Sequence, residues 1–103
     1  MLDLDPLGDY LARQMRWSHA TFGPGRRTIG ITAHIEKELD EIRAEPHDLE
    51  EWLDVVILAL DGFWRHGGMP EDLLWRLREK QDKNFARRWP PPQPEDHPTE
   101  HIK

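Results

Sequence analysis

Apolar residues recur at intervals of three and four along most of the chain, and no segment shows the strict alternation expected of a half-buried strand. This pattern predicts an all-α protein. Glycine and proline residues separate the apolar segments and mark where each helix should stop. The four predicted helices are approximately Pro6–His19, Thr28–Ala44, Asp48–His66 and Pro70–Arg88.

The end of the chain differs in composition from the rest. Three consecutive prolines, Pro90–Pro92, are followed by mostly polar residues, and this composition does not continue a helix. We therefore expect one all-α domain, a four-helix bundle over residues 1–89, and an extended Pro-rich C-terminal tail over residues 90–103.

Composition limits the possible partners and chemistries. With 103 residues, 37% hydrophobic and 33% charged, a monomer would bury little apolar surface, so we expect a homo-oligomer, a dimer or a tetramer. A net charge of −6 argues against binding to duplex nucleic acid. The absence of cysteine excludes zinc–thiolate sites and thiol nucleophiles. The sequence has no apolar segment of membrane-spanning length and no signal-peptide pattern, which predicts a cytoplasmic protein with no membrane partner.

Two pairs of acidic residues lie at the margins of predicted apolar helix faces. Glu38 and Glu41 belong to the second helix, and Glu51 and Asp54 belong to the third. The short connection between these helices makes them antiparallel, so the two acidic pairs should meet. Several converging carboxylates repel one another unless a cation binds them. Oxygen ligands favour Mg²⁺, Mn²⁺ or Ca²⁺ over Zn²⁺, and a few carboxylates with open water positions suit Mg²⁺ that carries a phosphate substrate, with Mn²⁺ as a possible substitute.

Simpler roles for these acids are also open. Glu51 has the spacing of a capping-box partner of Asp48, the predicted N-cap of the third helix. Glu38 and Glu41 have the alternative of being solvated surface charges, and we expect that state for Glu45 and Asp61.

Basic and aromatic residues supply candidates for substrate binding. A strip on the fourth helix, formed by Lys80, Lys83, Asn84 and Arg87, suits phosphate oxygens, although the same cations also complement a helix C-terminus. Further candidates are Arg26, which with Arg27 lies in a Gly-Pro loop; Trp17, as a platform for a base; and His34, as a neighbour of the substrate or of the acids. Three other tryptophans are expected in the core or an interface: Trp52, Trp64 and Trp75.

Several segments together resemble a known family, the MazG-like all-α nucleoside triphosphate pyrophosphohydrolases, and within it the dATP/dGTP diphosphohydrolase-type domain of phages and bacteria. Nearly the whole chain takes part in this resemblance. The matching segments are Thr21–Arg26, His34–Ile42, Asp48–Gly62, Lys80–Asn84 with Arg87, Trp89-Pro90, and more faintly Glu100-His101.

The resemblance implies a MazG-like bundle that hydrolyses a nucleoside triphosphate to the monophosphate and pyrophosphate. It implies Glu38, Glu41, Glu51 and Asp54 as magnesium ligands, with Glu38 or Glu41 also acting as the base. It further implies contacts from the fourth-helix strip to the phosphates or sugar, and dATP or dGTP as the substrate. Two alternatives stay open at this point: a related activity on dUTP, dCTP or a modified nucleotide, and a non-catalytic helical module that builds an oligomer.

Overall fold

The structure, a computed structural model, describes residues 3–103 and confirms the predicted all-α class. Its helices are α1 (Pro6–Phe22), α2 (Thr28–Ala44), α3 (Leu49–Arg65) and α4 (Leu73–Ala86), with a 3₁₀ turn at Pro70–Asp72. Contacts divide the chain into two compact units, one that ends at Leu73 and a second that comprises Leu74–Lys103. No helix in the described part of the chain is long and apolar enough to cross a membrane.

Local capping explains where α1 begins and ends. The Asp5 carboxylate accepts a hydrogen bond from the Gly8 N–H (2.8 Å), and Pro6 occupies the first helical position. The helix ends at Phe22, three residues beyond the predicted His19, because Gly23 adopts a φ of 86° while its N–H donates to the His19 carbonyl.

Helices α2 and α3 are antiparallel, and a hydrogen bond joins the first residue of α2 to the residue that follows α3. The His66 Nδ1–H donates to the Gly62 carbonyl (2.7 Å), so its Nε2 accepts from the Thr28 hydroxyl (2.6 Å). Helix α1 runs parallel to α3. The Gln14 side chain donates to the Ile57 carbonyl (2.8 Å), and four residues further along both helices the Ser18 hydroxyl donates to Asp61 (2.6 Å). Helices α1 and α2 therefore both pack against α3.

A close backbone approach at Gly8 gives a stability prediction. A Cβ atom at this position would lie 2.6 Å from the Pro70 carbonyl oxygen, and neither backbone can move easily. We expect Gly8→Ala to lower the free energy of unfolding by about 1–3 kcal/mol, measured by urea denaturation. Gly30→Ala is the matched control, because its Cβ would meet only the tip of the Arg27 side chain at 3.6 Å. Equal stability of the two variants would contradict the prediction.

The second unit contains most of α4 and the segment that follows it. The predicted helix from Pro70 to Arg88 is shorter, because its first turn is 3₁₀ and α4 ends at Ala86. The Pro-rich segment is not helical, but it is not an extended tail throughout. The Ile102 N–H donates to the Arg88 carbonyl (2.7 Å) in an isolated antiparallel bridge, and the Trp89 and His101 rings contact edge to face at 6.0 Å.

Candidate metal centre and adjoining cavity

The antiparallel register brings both predicted acidic pairs together. Glu38 and Glu41 of α2 face Glu51 and Asp54 of α3, and one carboxylate oxygen from each lies within 4.8 Å of the others. Spacing of three residues places both members of a pair on the same face of their helix. The four residues thus form a compact cluster of oxygen ligands at one end of the α2–α3 interface, which we call the acid cluster.

Proton sharing within the acid cluster perturbs three of its carboxyl groups. Glu41 is central, and hydrogen bonds from Glu38 and Glu51 lower its pKa. The hydrogen bond between Glu38 and Glu41, together with burial and the charges of Glu41 and Asp54, raises the pKa of Glu38. For Glu51, the hydrogen bond to Glu41, burial and nearby negative charge raise the pKa to about 7. Without a cation, the cluster therefore retains protons well above the usual range for carboxyl groups.

Two carboxylate oxygens in the acid cluster accept no hydrogen bond from any N–H or hydroxyl group in the described part of the chain. Among the described residues, Glu38 Oε2 and Glu51 Oε2 are buried without any donor. A buried polar atom normally has a partner, because leaving it unpaired costs free energy. Four converging carboxylates with two unsatisfied oxygens match the ligand set of a hard divalent cation, which would compensate both the charge and the missing contacts. The donor set thus fits such an ion.

The simpler roles considered for Glu38 and Glu51 are wrong. Glu38 is buried, with 7% of its surface exposed, rather than solvated. Glu51 does not close a capping box, since the Asp48 N–H donates to the Glu45 carbonyl instead (3.1 Å). Asp48 itself is the N-cap of α3, as predicted, and its side chain accepts from the Glu50 N–H.

The raised pKa of Glu51 predicts how stability depends on pH in the metal-free protein. Because the folded state holds this proton more tightly than the unfolded state, Glu51 stabilises the fold at low pH. That contribution is lost as the pH rises from about 4.5 through about 7. We expect the melting temperature of metal-free wild type to fall over this range more steeply than that of Glu51→Gln, which cannot titrate. Circular dichroism melts across pH 4–8.5 test this.

Glu50→Gln is the matched control for that experiment, because Glu50 is the exposed neighbour of Glu51 on α3. Its melting temperature should follow pH as steeply as that of wild type. Parallel curves for wild type and Glu51→Gln would contradict the assigned proton affinity.

A cavity of about 210 Å³ adjoins the acid cluster and lies between α1, α2 and α3. Glu38 and Asp54 belong to both the cluster and the cavity wall. Two predicted substrate residues line it, Trp17 and His34, and the His34 Nε2 lies 3.0 Å from the Glu38 carboxylate. Its complete lining is Gln14, Trp17, Ser18, Phe22, Arg27, Gly30, Ile31, His34, Glu38, Asp54, Ile57, Leu58 and Asp61.

Comparison with known proteins identifies the family of this chain. A family model described as dATP/dGTP pyrophosphohydrolase matches residues 10–103, which include the acid cluster and every residue of the cavity wall. The chain belongs to the dATP/dGTP pyrophosphohydrolase family. It is therefore a hydrolase that acts on nucleoside triphosphates, and the non-catalytic module is set aside. Searches of curated proteins and of solved structures found no match.

At the end of the pyrophosphohydrolase cavity away from the acid cluster, Asp61 forms a buried ion pair with Arg65 that helical spacing did not predict. Asp61 was expected to be solvated, but it is 5% exposed and accepts a hydrogen bond from the Arg65 Nε–H (3.2 Å). The Arg65 guanidinium also donates to the carbonyls of Gly23 and Gly25 (both 2.9 Å) and so fastens the loop between α1 and α2. The i,i+4 spacing of an acid and an arginine within an apolar helix was the available signal.

The same loop determines which arginine reaches the pyrophosphohydrolase cavity. Arg27, in a left-handed conformation with φ 48°, lines the cavity and lies over the Phe22 ring at 4.9 Å. Arg26, the candidate named from the sequence, is exposed and is not in the cavity wall. Its contact with substrate stays a prediction.

The fourth-helix candidates lie in the second unit of the pyrophosphohydrolase. Lys80, Lys83 and Arg87 are exposed, and the Arg87 guanidinium donates to the side-chain oxygen of Asn84 (3.3 Å). Their role in phosphate binding stays a prediction. Of the tryptophans expected in the core or an interface, Trp64 is half-buried and donates to Asp61 (2.7 Å), whereas Trp52 and Trp75 are exposed.

Proposed function

We propose that the acid cluster binds Mg²⁺, which Mn²⁺ can replace, and that the protein hydrolyses dATP or dGTP to the monophosphate and pyrophosphate. The observation that carries this proposal is the pair of buried, unpartnered oxygens on Glu38 and Glu51 within a set of four converging carboxylates. The family match supports the nucleotide substrate. When bound, the cation would lower the pKa of water and offset the charge of the phosphates.

We propose Glu38 as the general base that accepts a proton from the attacking water. Glu38 lines the cavity, whereas Glu41, the other candidate, is not part of its wall. A water between this carboxylate and the α-phosphorus would pass its proton to Glu38 as the new P–O bond forms and pyrophosphate leaves. The His34 ring, 3.0 Å from Glu38, keeps the carboxylate in place.

The substrate would extend from the acid cluster into the cavity. Trp17 has an exposed indole ring in the cavity wall, which supports its role as a platform for the base. We propose His34 as a further substrate neighbour. The remaining proposed contacts are with the phosphates or sugar, from Arg26, Lys80, Lys83, Asn84 and Arg87.

Product analysis tests the reaction. The protein is incubated with Mg²⁺ and each nucleoside triphosphate in ¹⁸O-labelled water, including dUTP and dCTP, and the phosphorus products are identified by ³¹P NMR and mass spectrometry. We expect pyrophosphate and a labelled monophosphate, fastest with dATP or dGTP. Orthophosphate with a diphosphate would contradict the proposed bond cleavage, and a faster reaction with a pyrimidine nucleotide would contradict the substrate.

We also propose that the protein is a homo-oligomer, a dimer or a tetramer, joined through the apolar face of α3. Leu49, Trp52, Leu53 and Val56 follow helical spacing and are each at least 50% exposed, while the buried apolar core contains only four described residues. Sedimentation equilibrium should give a mass above that of one chain, which is 12.2 kDa. Leu53→Glu should shift the protein toward monomer, and a monomeric wild type would contradict the proposal.

A further inference from the structure

The cavity has a second carboxylate at the end away from the acid cluster. Asp54 and Asp61 both line it, and they lie seven residues apart on α3. Seven residues are nearly two helical turns, so both side chains project from the same face, about 10 Å apart along the helix axis. Asp61 is not a member of the acid cluster. Asp61 therefore lies where the nucleobase of the substrate would lie if the phosphates were held at the acid cluster.

Hydrogen bonds hold the Asp61 carboxylate in one orientation. Its Oδ1 accepts from the Ser18 hydroxyl (2.6 Å), the Trp64 indole N–H (2.7 Å) and the Arg65 Nε–H (3.2 Å). The Arg65 side chain is completely buried and offsets the negative charge. Three donors on one oxygen prevent the carboxylate from turning, so the other oxygen keeps a fixed direction.

The second oxygen of Asp61 retains the capacity to accept a hydrogen bond. Among residues 3–103, its one charged contact is with Arg27 Nη1 at 4.0 Å, which is beyond hydrogen-bond length. The rings of Trp17 and Phe22, in contact edge to face at 5.4 Å, form the apolar part of the same cavity. An acceptor with a cation beside it, next to aromatic rings, is a set of groups suited to one edge of a planar base.

Resting on the proposed function, we propose that Asp61 determines base specificity because its Oδ2 accepts a hydrogen bond from an exocyclic amino group of the purine. The donor is N6 of adenine or N2 of guanine. In both bases the amino group lies next to a ring-nitrogen acceptor, which the neighbouring Arg27 guanidinium suits. Thymine and uracil have carbonyl groups in place of an exocyclic amine, and a carbonyl facing this oxygen would be repelled. Cytosine has an amino group beside a ring-nitrogen acceptor, so Asp61 selects against thymine and uracil and not against cytosine.

Paired substrates test the proposal in the wild-type protein. One pair is dATP and the triphosphate of 2′-deoxynebularine, which lacks the 6-amino group, and the other is dGTP and dITP, which lacks the 2-amino group. We expect kcat/KM to fall about 10- to 100-fold in the pair whose amino group contacts Asp61. That pair also identifies the base. Equal kcat/KM values within both pairs would overturn the proposal.

Asp61→Asn supplies the second measurement. Because three donors point at Oδ1, the amide oxygen must take that place, and the amide NH₂ then replaces the cavity-facing acceptor. The discrimination within the sensitive pair should fall toward one. A ratio of two substrates on the same preparation does not depend on how much protein is folded, so a merely structural role would leave it unchanged.

The exposed Asp40→Asn variant is the control and should discriminate as wild type does. Wild-type discrimination in Asp61→Asn would overturn the proposal. If that variant does not fold, the wild-type pairs alone decide. Absence of hydrolysis with every nucleotide would instead remove the proposed function, and the inference with it.

Discussion

Asp54→Asn is expected to lower the turnover of dATP or dGTP by at least about 10²- to 10³-fold. Asp54 is both a member of the acid cluster and part of the cavity wall, so its carboxylate would contact the cation where the cluster adjoins the cavity. The amide keeps the shape of the side chain but removes the negative charge that binds the ion. Steady-state rates at saturating Mg²⁺ measure the effect, and far-ultraviolet circular dichroism checks that the helices remain.

Asp40→Asn is the matched control for this variant. Asp40, on α2, allows the same change from aspartate to asparagine, but its side chain is 80% exposed and pairs with Arg43. It should retain wild-type turnover. If Asp54→Asn also retained wild-type turnover, the ligand assignment would be wrong, and a collapse of helicity would show that Asp54 acts on the fold instead.

Arg65→Met is expected to cost about 3–5 kcal/mol of folding free energy, because it leaves the buried Asp61 carboxylate without its cation. The change also removes hydrogen bonds to the Ser18, Gly23 and Gly25 carbonyls, so the α1–α2 loop loses its attachment. Methionine fills similar space, which limits the contribution of a simple cavity. Urea denaturation followed by circular dichroism measures the loss.

Arg43→Met is the control, since Arg43 also pairs with an aspartate on its own helix but is 72% exposed. An exposed pair contributes about 0–1 kcal/mol. A small loss for Arg65→Met, similar to that of Arg43→Met, would show that the buried pair does not hold the fold together.

The acid cluster was predictable because it depends on two simple regularities. Helical spacing places Glu38 with Glu41, and Glu51 with Asp54, on single helix faces, and the short connection at Pro46 makes α2 and α3 antiparallel. No distant contact was needed to anticipate that the four carboxylates converge. The same regularities predicted α2 with its observed ends.

The Asp61 site was not predictable in this way, because its burial depends on residues from another helix and a loop. Ser18 comes from α1, and the carbonyls that Arg65 contacts belong to the loop before α2. Helical spacing shows which face Asp61 occupies but not what covers that face. The return of the C-terminal segment is similar, since the contact between Arg88 and Ile102 joins residues far apart in a stretch without periodicity.

Electron paramagnetic resonance titration with Mn²⁺ tests most directly whether the acid cluster is the metal centre. Free Mn²⁺ gives a six-line signal that weakens when the ion binds, so each variant can be titrated without substrate or turnover. We predict that wild type and Asp40→Asn diminish the signal at neutral pH, and that Glu51→Gln and Asp54→Asn bind Mn²⁺ with at least 10-fold lower affinity. Equal binding by all four proteins would contradict it.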